Sequence, residues 1–220
     1  MPSTIVHMSL AAILAVAFLR DDFDIKGLAL ILAVVAFVDF DVFLGLWIKG
    51  AHRAAFHNLL VPGLVAIGLY VDTRMGPRSA LRQRFGDRGV RVAWVTVAVV
   101  VLAAIGPDLF TNGVNVFYPV HDEFYKLNGK ILLSNKHGFV QTFVDLSPPK
   151  SSNSGHASKV AIGSTKNVQY HTGVDPNPGK AGADSGNVER VFPIVQSGWQ
   201  LLIVLTSIFV VGSRLYEEYR

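Results

Sequence analysis

Asp39 and Asp41 stand inside an apolar stretch running from Gly27 to Ile48, and His52, Arg53 and His57 follow directly behind it. The stretch is long enough to cross a bilayer, which takes about 20 residues. A carboxylate at bilayer depth costs roughly 3 kcal/mol on insertion scales, so such residues persist mainly where they face a protein interior and carry function. Two carboxylates beside two imidazoles point to a metal site at a membrane face.

The composition agrees with a membrane protein. Half of the 220 residues are hydrophobic, only 16% are charged, and the mean hydropathy is +0.39, whereas a soluble domain carries about 25% charged residues. There is no cysteine, so disulfides and thiolate metal sites are excluded and any ion must be held by His, Asp, Glu or carbonyl oxygen. The net charge of +4 does not imply nucleic acid, because Arg74, Arg78, Arg82, Arg84, Arg88 and Arg91 crowd into one short loop, as membrane topology requires.

Five apolar segments are expected to form an all-α membrane protein: Thr4 to Leu19, Gly27 to Ile48, Ala54 to Val71, Val90 to Ile105 and Trp199 to Ser213. The first lacks the basic lead and A-x-A site of a signal peptide and reads as a retained helix. The positive-inside rule puts the arginine loop, residues 73–91, in the cytoplasm. Alternation then places the N-terminus and residues 108–198 outside the cell and the C-terminus inside, for a multi-pass protein of the cell membrane in contact with its lipids. The expected organisation is a helical membrane core over 1–119, an external loop and hairpin region over 120–197, and a last helix with its tail over 198–220.

This topology gathers His7, Asp39, Asp41, His52, His57 and Asp108 toward one membrane face. Nitrogen and oxygen donors of this kind suit Zn, Mn, Fe or a similar divalent metal ion. Blander readings exist for each residue alone: interfacial placement for His7, His52 and Arg53, a helix exit for Gly106-Pro107-Asp108, and a proton or ion pathway for Asp39 and Asp41. Spacing raises a further constraint. On a regular helix Asp39 and Asp41 point about 200° apart, and His52 and His57 about 140° apart. Either the backbone is irregular at both places or one member of each pair acts behind the other. Irregular backbone at membrane depth survives only around protein or a wet cavity.

The blocks Asp39-Phe-Asp41, His52-Arg-Ala-Ala-Phe-His57-Asn58 and Asp108-Leu-Phe-Thr111, with Gly113 and Pro119 beyond and His7 before them, resemble the D-x-D, H-R-x-x-x-H-S and D-x-x-T blocks of the membrane-bound metal-dependent hydrolases. That family includes the LexA-binding inner-membrane type. The resemblance covers about Val6 to Pro119. The chain departs from it with Val38 for a proline before D-x-D, with Asn58 for a serine, with Ala54-Ala55-Phe56 for a Gly-x-Thr run, and with Gly113 one residue early. The resemblance implies a hydrolase in which Asp39, Asp41, Arg53 and Asp108 serve catalysis and the six-residue His/Asp set binds the metal, zinc among the candidates.

Beyond Asn112 the sequence is less specific. Lys130 to Ser134 and Phe139 to Leu146, joined by Asn135 to Gly138, read as a β-hairpin. Residues 147–189 are rich in Ser, Gly, Lys, Asn and Pro and are expected to lack a packed core. His121, Asp122 and Glu123 are further candidate ligands or an ordinary solvated turn, and His137, His156 and His171 read as solvated. The function expected is hydrolysis of an ester or phosphoester at the outer face, with Arg53 forked onto an anionic group. The alternatives are an ion- or proton-coupled transporter and a non-catalytic membrane partner of another protein. No nucleic acid partner is expected.

Overall fold

The computed structural model describes residues 2–75, 78–143, 160–179, 186–218 and 220. It is mostly helical, with helices α1 (Thr4–Leu19), α2 (Ile25–Val38), α3 (Asp41–Leu44), α4 (Leu60–Tyr70), α5 (Ala80–Val99), α6 (Gly106–Thr111) and α7 (Gly198–Glu218). Four helical stretches are long and apolar enough to cross a membrane: Thr4–Asp22, Ile25–Leu44, Ala80–Thr111 and Gly198–Glu218.

Local chemistry sets the helix starts. Ser3 accepts from the Val6 amide to cap α1, Asp24 accepts from the Gly27 amide to cap α2, and Ser79 accepts from the Arg82 amide to cap α5, each satisfying an amide that a helix start leaves unpaired. Packing does the rest. Alanines and branched residues, among them Ala11, Ala15, Ile31, Val35, Val99 and Ala103, form the buried seam where α1, α2 and α5 meet, and small side chains let apolar helices approach closely. Helix α7 lies mainly against α1 and leaves Leu202, Ile208 and Phe209 exposed.

Two expected spans differ from the sequence reading. The stretch from Gly27 to Ile48 is not one helix: α2 stops at Val38 and the chain continues through tight turns around α3. The segment from Ala54 to Val71 becomes helical only at Leu60, eleven residues of α-helix followed by five in wider turns to Met75. At 1.5 Å per residue that is about 24 Å, short of the roughly 30 Å hydrocarbon core. Asn58 accounts for the late start. Its side-chain amide donates to the Ala54 and Ala55 carbonyls and its oxygen accepts from the Val61 amide, so it closes the turns before α4 and leads into that helix.

The segment after α6 is built on the end that carries His57 and Asp108. Strand β1 (Phe124–Tyr125) pairs antiparallel with β4 (Ala161–Gly163), and Tyr125 also bridges to Val114. Strands β2 (Ile131–Ser134) and β3 (Gly138–Gln141) pair from Ile131↔Gln141 to Ser134↔Gly138. The expected continuation toward Leu146 passes outside the described residues, as does His156. No apolar residue of 160–179 joins the buried core, as the composition leads one to expect, but the stretch is tied down: Tyr170 donates to the carbonyls of Asn112 and Gly113, and Asp175 is buried. The composition hid this, because one aromatic residue and a few hydrogen bonds do the anchoring.

Candidate functional site

The break after Val38 arises from a change of hydrogen bonding. The amides of Asp39, Phe40, Val42 and Phe43 each reach back three residues, to Ala36, Phe37, Asp39 and Phe40, which is the tighter 3₁₀ pattern. This rewinding happens without the proline that the resemblance anticipates. It turns Asp39 and Asp41 onto one imidazole: His57 Nδ1 lies 2.8 Å from Asp41 Oδ2 and Nε2 lies 3.2 Å from Asp39 Oδ1. The geometric objection to a shared site is thereby removed.

Asp41 is fully buried and wholly engaged. It accepts from His52 Nδ1 at 2.8 Å, from His57 Nδ1 at 2.8 Å and from the Arg53 amide at 3.0 Å. The last bond uses an unusual backbone, since Arg53 has φ 63°. That left-handed conformation costs a non-glycine residue roughly 1–3 kcal/mol and is held only where the surroundings over-determine it. Here the carboxylate does so from one side, and from the other the Asn115 amide donates to the Arg53 carbonyl at 3.0 Å.

Asp108 enters from the opposite wall. The helix ahead of it widens at Val100 to Ile105, where the Gly106 amide reaches back five residues to Val101. Pro107 has no N–H, so the Ala103 carbonyl is left without the donor a regular helix would supply. His7 fills the vacancy: its Nδ1 donates to that carbonyl at 2.7 Å. This bond orients the ring so that Nε2 lies 3.6 Å from Asp108 Oδ1. Asp108 Oδ2 stands 3.5 Å from His57 Nε2, and Oδ1 accepts from Arg53 at 3.0 Å.

The result is a layered cluster. His7, Asp39, His57 and Asp108 face one another through His7 Nε2, His57 Nε2 and the two carboxylates. Asp41 stands behind His57, and His52 stands beyond Asp41, its one ion-pair partner among the described residues. His57 Nε2 is buried yet makes no hydrogen bond, and the same holds for His52 Nε2 and Arg53 Nε. A buried unpaired polar atom costs about 1–3 kcal/mol and calls for an explanation. Among the described residues the donors do not form the close group of three that a filled metal centre shows.

Arg53 is only 1% exposed. Its guanidinium is bonded to Asp108 and lies 4.9 Å over the Tyr170 ring, a cation–π distance. Tyr170 also meets His52 edge-on at 5.8 Å. Burial pushes its phenol up to about 12 against the opposing pull of Arg53. Sequence reasoning missed Tyr170, which lies in a polar stretch with no periodicity to flag it.

The remaining candidates lie apart. His121 Nε2 meets the Tyr125 hydroxyl, Asp122 accepts from Asn115 and Thr165, and Glu123 accepts from the Gly163 amide. They fasten the outer strands to the core. His137 is exposed in the turn before β3. His171, read as solvated, borders a cavity of about 570 Å³ whose floor includes His7, Asp39, His52, Arg53 and Asp108. Gly113 adopts φ 97°, and a side chain there would strike Ile162, so the early glycine still makes its turn.

No protein-family model, curated protein or solved structure matches this chain.

Proposed function

We propose that this protein is an integral-membrane hydrolase of the metal-dependent type its motifs resemble, acting on an ester or phosphoester at the end of the bundle that carries Asp39, His57 and Asp108. The observation that carries the reading is the treatment of the two imidazoles. In each, Nδ1 is committed to an oxygen acceptor, Ala103 for His7 and Asp41 for His57, which leaves Nε2 as the atom facing Asp39 and Asp108. Metal-binding histidines are oriented in just this way, through the nitrogen that does not bind the ion. N···O separations of 3.2, 3.5 and 3.6 Å bring these nitrogen and oxygen donors into one pocket, the donor chemistry that zinc takes.

His7, Asp39, His57 and Asp108 would hold the ion, with Asp41 behind His57. A divalent ion held there would supply Lewis acidity for the hydrolysis. Arg53 fixes the orientation and charge of Asp108, and it lines the cavity as a cation for an anionic group of the substrate. His52, oriented by Asp41, lines the same cavity. Tyr170 covers Arg53 and His52 and keeps bulk water from the pair.

The five-pass arrangement belongs to the same proposal. Helix α4 begins at the site end, where the Leu59 amide donates to Val116. It ends at the arginine end, where Asp72 accepts from Ser79 and Ala80. It therefore makes a short fifth pass, which with the arginines inside puts the site at the outer face. A transporter is less well supported, because among the described residues no buried carboxylate or imidazole lies along the helices between the two ends.

The test is metal analysis of the purified protein followed by an ester and phosphoester screen. Wild type is expected to retain a divalent ion and to hydrolyse a member of the panel, whereas D39A and H57A lose both. A wild type that takes up no divalent ion removes the reading.

A further inference from the structure

The cavity above the site is two-sided. Its floor is polar, but one wall is made by Val191, Phe192 and Pro193, with Val42 and Val174 nearby. Val191, Phe192 and Ile194 are 59%, 65% and 61% exposed, which is unusual for three large apolar residues in an extended, loop-like stretch. The stretch is held in place: the Ser3 hydroxyl at the head of α1 donates to the Ile194 carbonyl at 2.5 Å. Four residues further on, α7 begins with Gly198 and Trp199. The apolar wall thus sits where two spanning helices start, at the level where aromatic side chains mark the membrane interface. Phe40, Phe43 and Trp47, on the broken segment that supplies Asp39 and Asp41, are also exposed.

A polar floor under an apolar wall selects an amphiphile. A small hydrophilic ester would leave Val191 and Phe192 in water, whereas a hydrocarbon chain entering from the bilayer would cover them while its head reached Arg53 and the carboxylates. A volume near 570 Å³ lies within the range of sites that enclose small molecules, about 300–1,000 Å³, and admits a head with the first part of a chain. Resting on the hydrolase reading above, we propose that the substrate is a lipid-like ester or phosphoester whose hydrocarbon tail lies along Val191, Phe192 and Pro193 and continues into the bilayer.

The chain-length dependence of binding tests this without turnover. The probes are methyl-, butyl- and hexylphosphonate, titrated against full-length, zinc-supplemented protein in nanodiscs, with protein-free nanodiscs subtracted. Each fully buried methylene strengthens binding by roughly fourfold, so wild type is expected to gain at least about tenfold from methyl to hexyl. The double variant V191S/F192S is expected to lose most of that gain. A flat series in wild type, an undiminished gain in the variant, or no binding of hexylphosphonate overturns the proposal. A steep series in a protein that hydrolyses nothing would sink the hydrolase reading alone, while turnover with a flat series would sink the tail-binding wall alone.

Discussion

The two ends of the helical bundle use the same side chains in opposite ways. At one end Arg53 and Asp108 pair at 3.0 Å with side chains only 1% and 2% exposed, inside a cluster where Asp41 alone satisfies three donors. At the other, Arg82 pairs with Asp87 at 2.6 Å although the side chains are 51% and 86% exposed, and Arg88 and Arg91 reach the carbonyls of Asp22 and Phe18. Distance does not distinguish these ends; surroundings do. A pair in water contributes about 0–1 kcal/mol, while removing one partner of a buried pair costs about 3–5 kcal/mol because the other charge is stranded. The first end is built to hold a geometry, whereas the second keeps its charges in water.

The sharpest way to break that contrast is Asp41→Ala. It strands His52 Nδ1, His57 Nδ1 and the Arg53 amide together and removes the anchor of a left-handed residue. A loss of about 3–5 kcal/mol is expected, on the scale of breaking a buried charge network, read as a large drop in thermal midpoint in detergent. A variant that melts within a degree or two of wild type would mean that the site end is no more demanding than the surface.

The next effect separates residues within the site. His57→Ala deletes a nitrogen facing Asp39 and Asp108, whereas His52→Ala deletes one that, among the described residues, pairs with Asp41 alone. Zinc affinity is expected to fall at least about a hundredfold for His57→Ala. It is expected to fall less for His52→Ala, at or below the 10–100-fold range of residues that support a ligand from behind. Equal losses measured with a competing chelator would place His52 among the direct ligands and redraw the layering.

How much of this the sequence disclosed follows the same division. Carboxylates in an apolar run are conspicuous because hydrocarbon penalises them, so Asp39, Asp41, His57 and Asp108 could be picked out unaided. The spacing argument also demanded irregular backbone or a supporting role for one aspartate, and the structure contains both. What was hidden were partners without a compositional signature: the Ala103 carbonyl freed by Pro107, the Asn115 amide behind Arg53, and Tyr170 arriving from a polar stretch. Pro107 was an available clue, since a proline within a continuing helix leaves the carbonyl four residues earlier without its donor. The late start of α4 was illegible for a related reason. Ala54 to Leu59 leads straight into the apolar run of α4, but hydrogen bonds from Asn58 and the backbone of Arg53 commit those residues to turns.

A smaller effect concerns the cover of the site. The Tyr170 phenol is raised to about 12, chiefly by burial, above the value of about 10 for an exposed phenol. The fold therefore favours the neutral ring. Its contribution to stability is fully present below pH 10 and is lost as the pH rises from 10 through about 12. Absorbance titration near 295 nm should show one phenol ionising about two units after the exposed ones, and that late step should vanish in Y170F. If all six tyrosines titrate together near pH 10, Tyr170 is open to water and does not shield Arg53.

The smallest expected effect completes the contrast. Arg82→Gln removes an exposed pair whose Asp87 partner remains hydrated, and screening by salt already weakens such contacts. The thermal midpoint should move by no more than the equivalent of about 1 kcal/mol. Neutralising Arg74, Arg78, Arg82 and Arg84 together should again spare the folded stability, yet, if the positive-inside rule governs this loop, it should unsettle the side of the membrane on which the loop lies. Cysteines placed at Gln83 and, separately, at Ser134 make the outcome measurable with an impermeant thiol reagent in intact cells. In the parent only the Ser134 site is expected to react, and in the neutralised protein a mixed population should label at both. Labelling at Gln83 alone in the parent would invert the orientation, turning the site end inward while leaving its internal geometry as described.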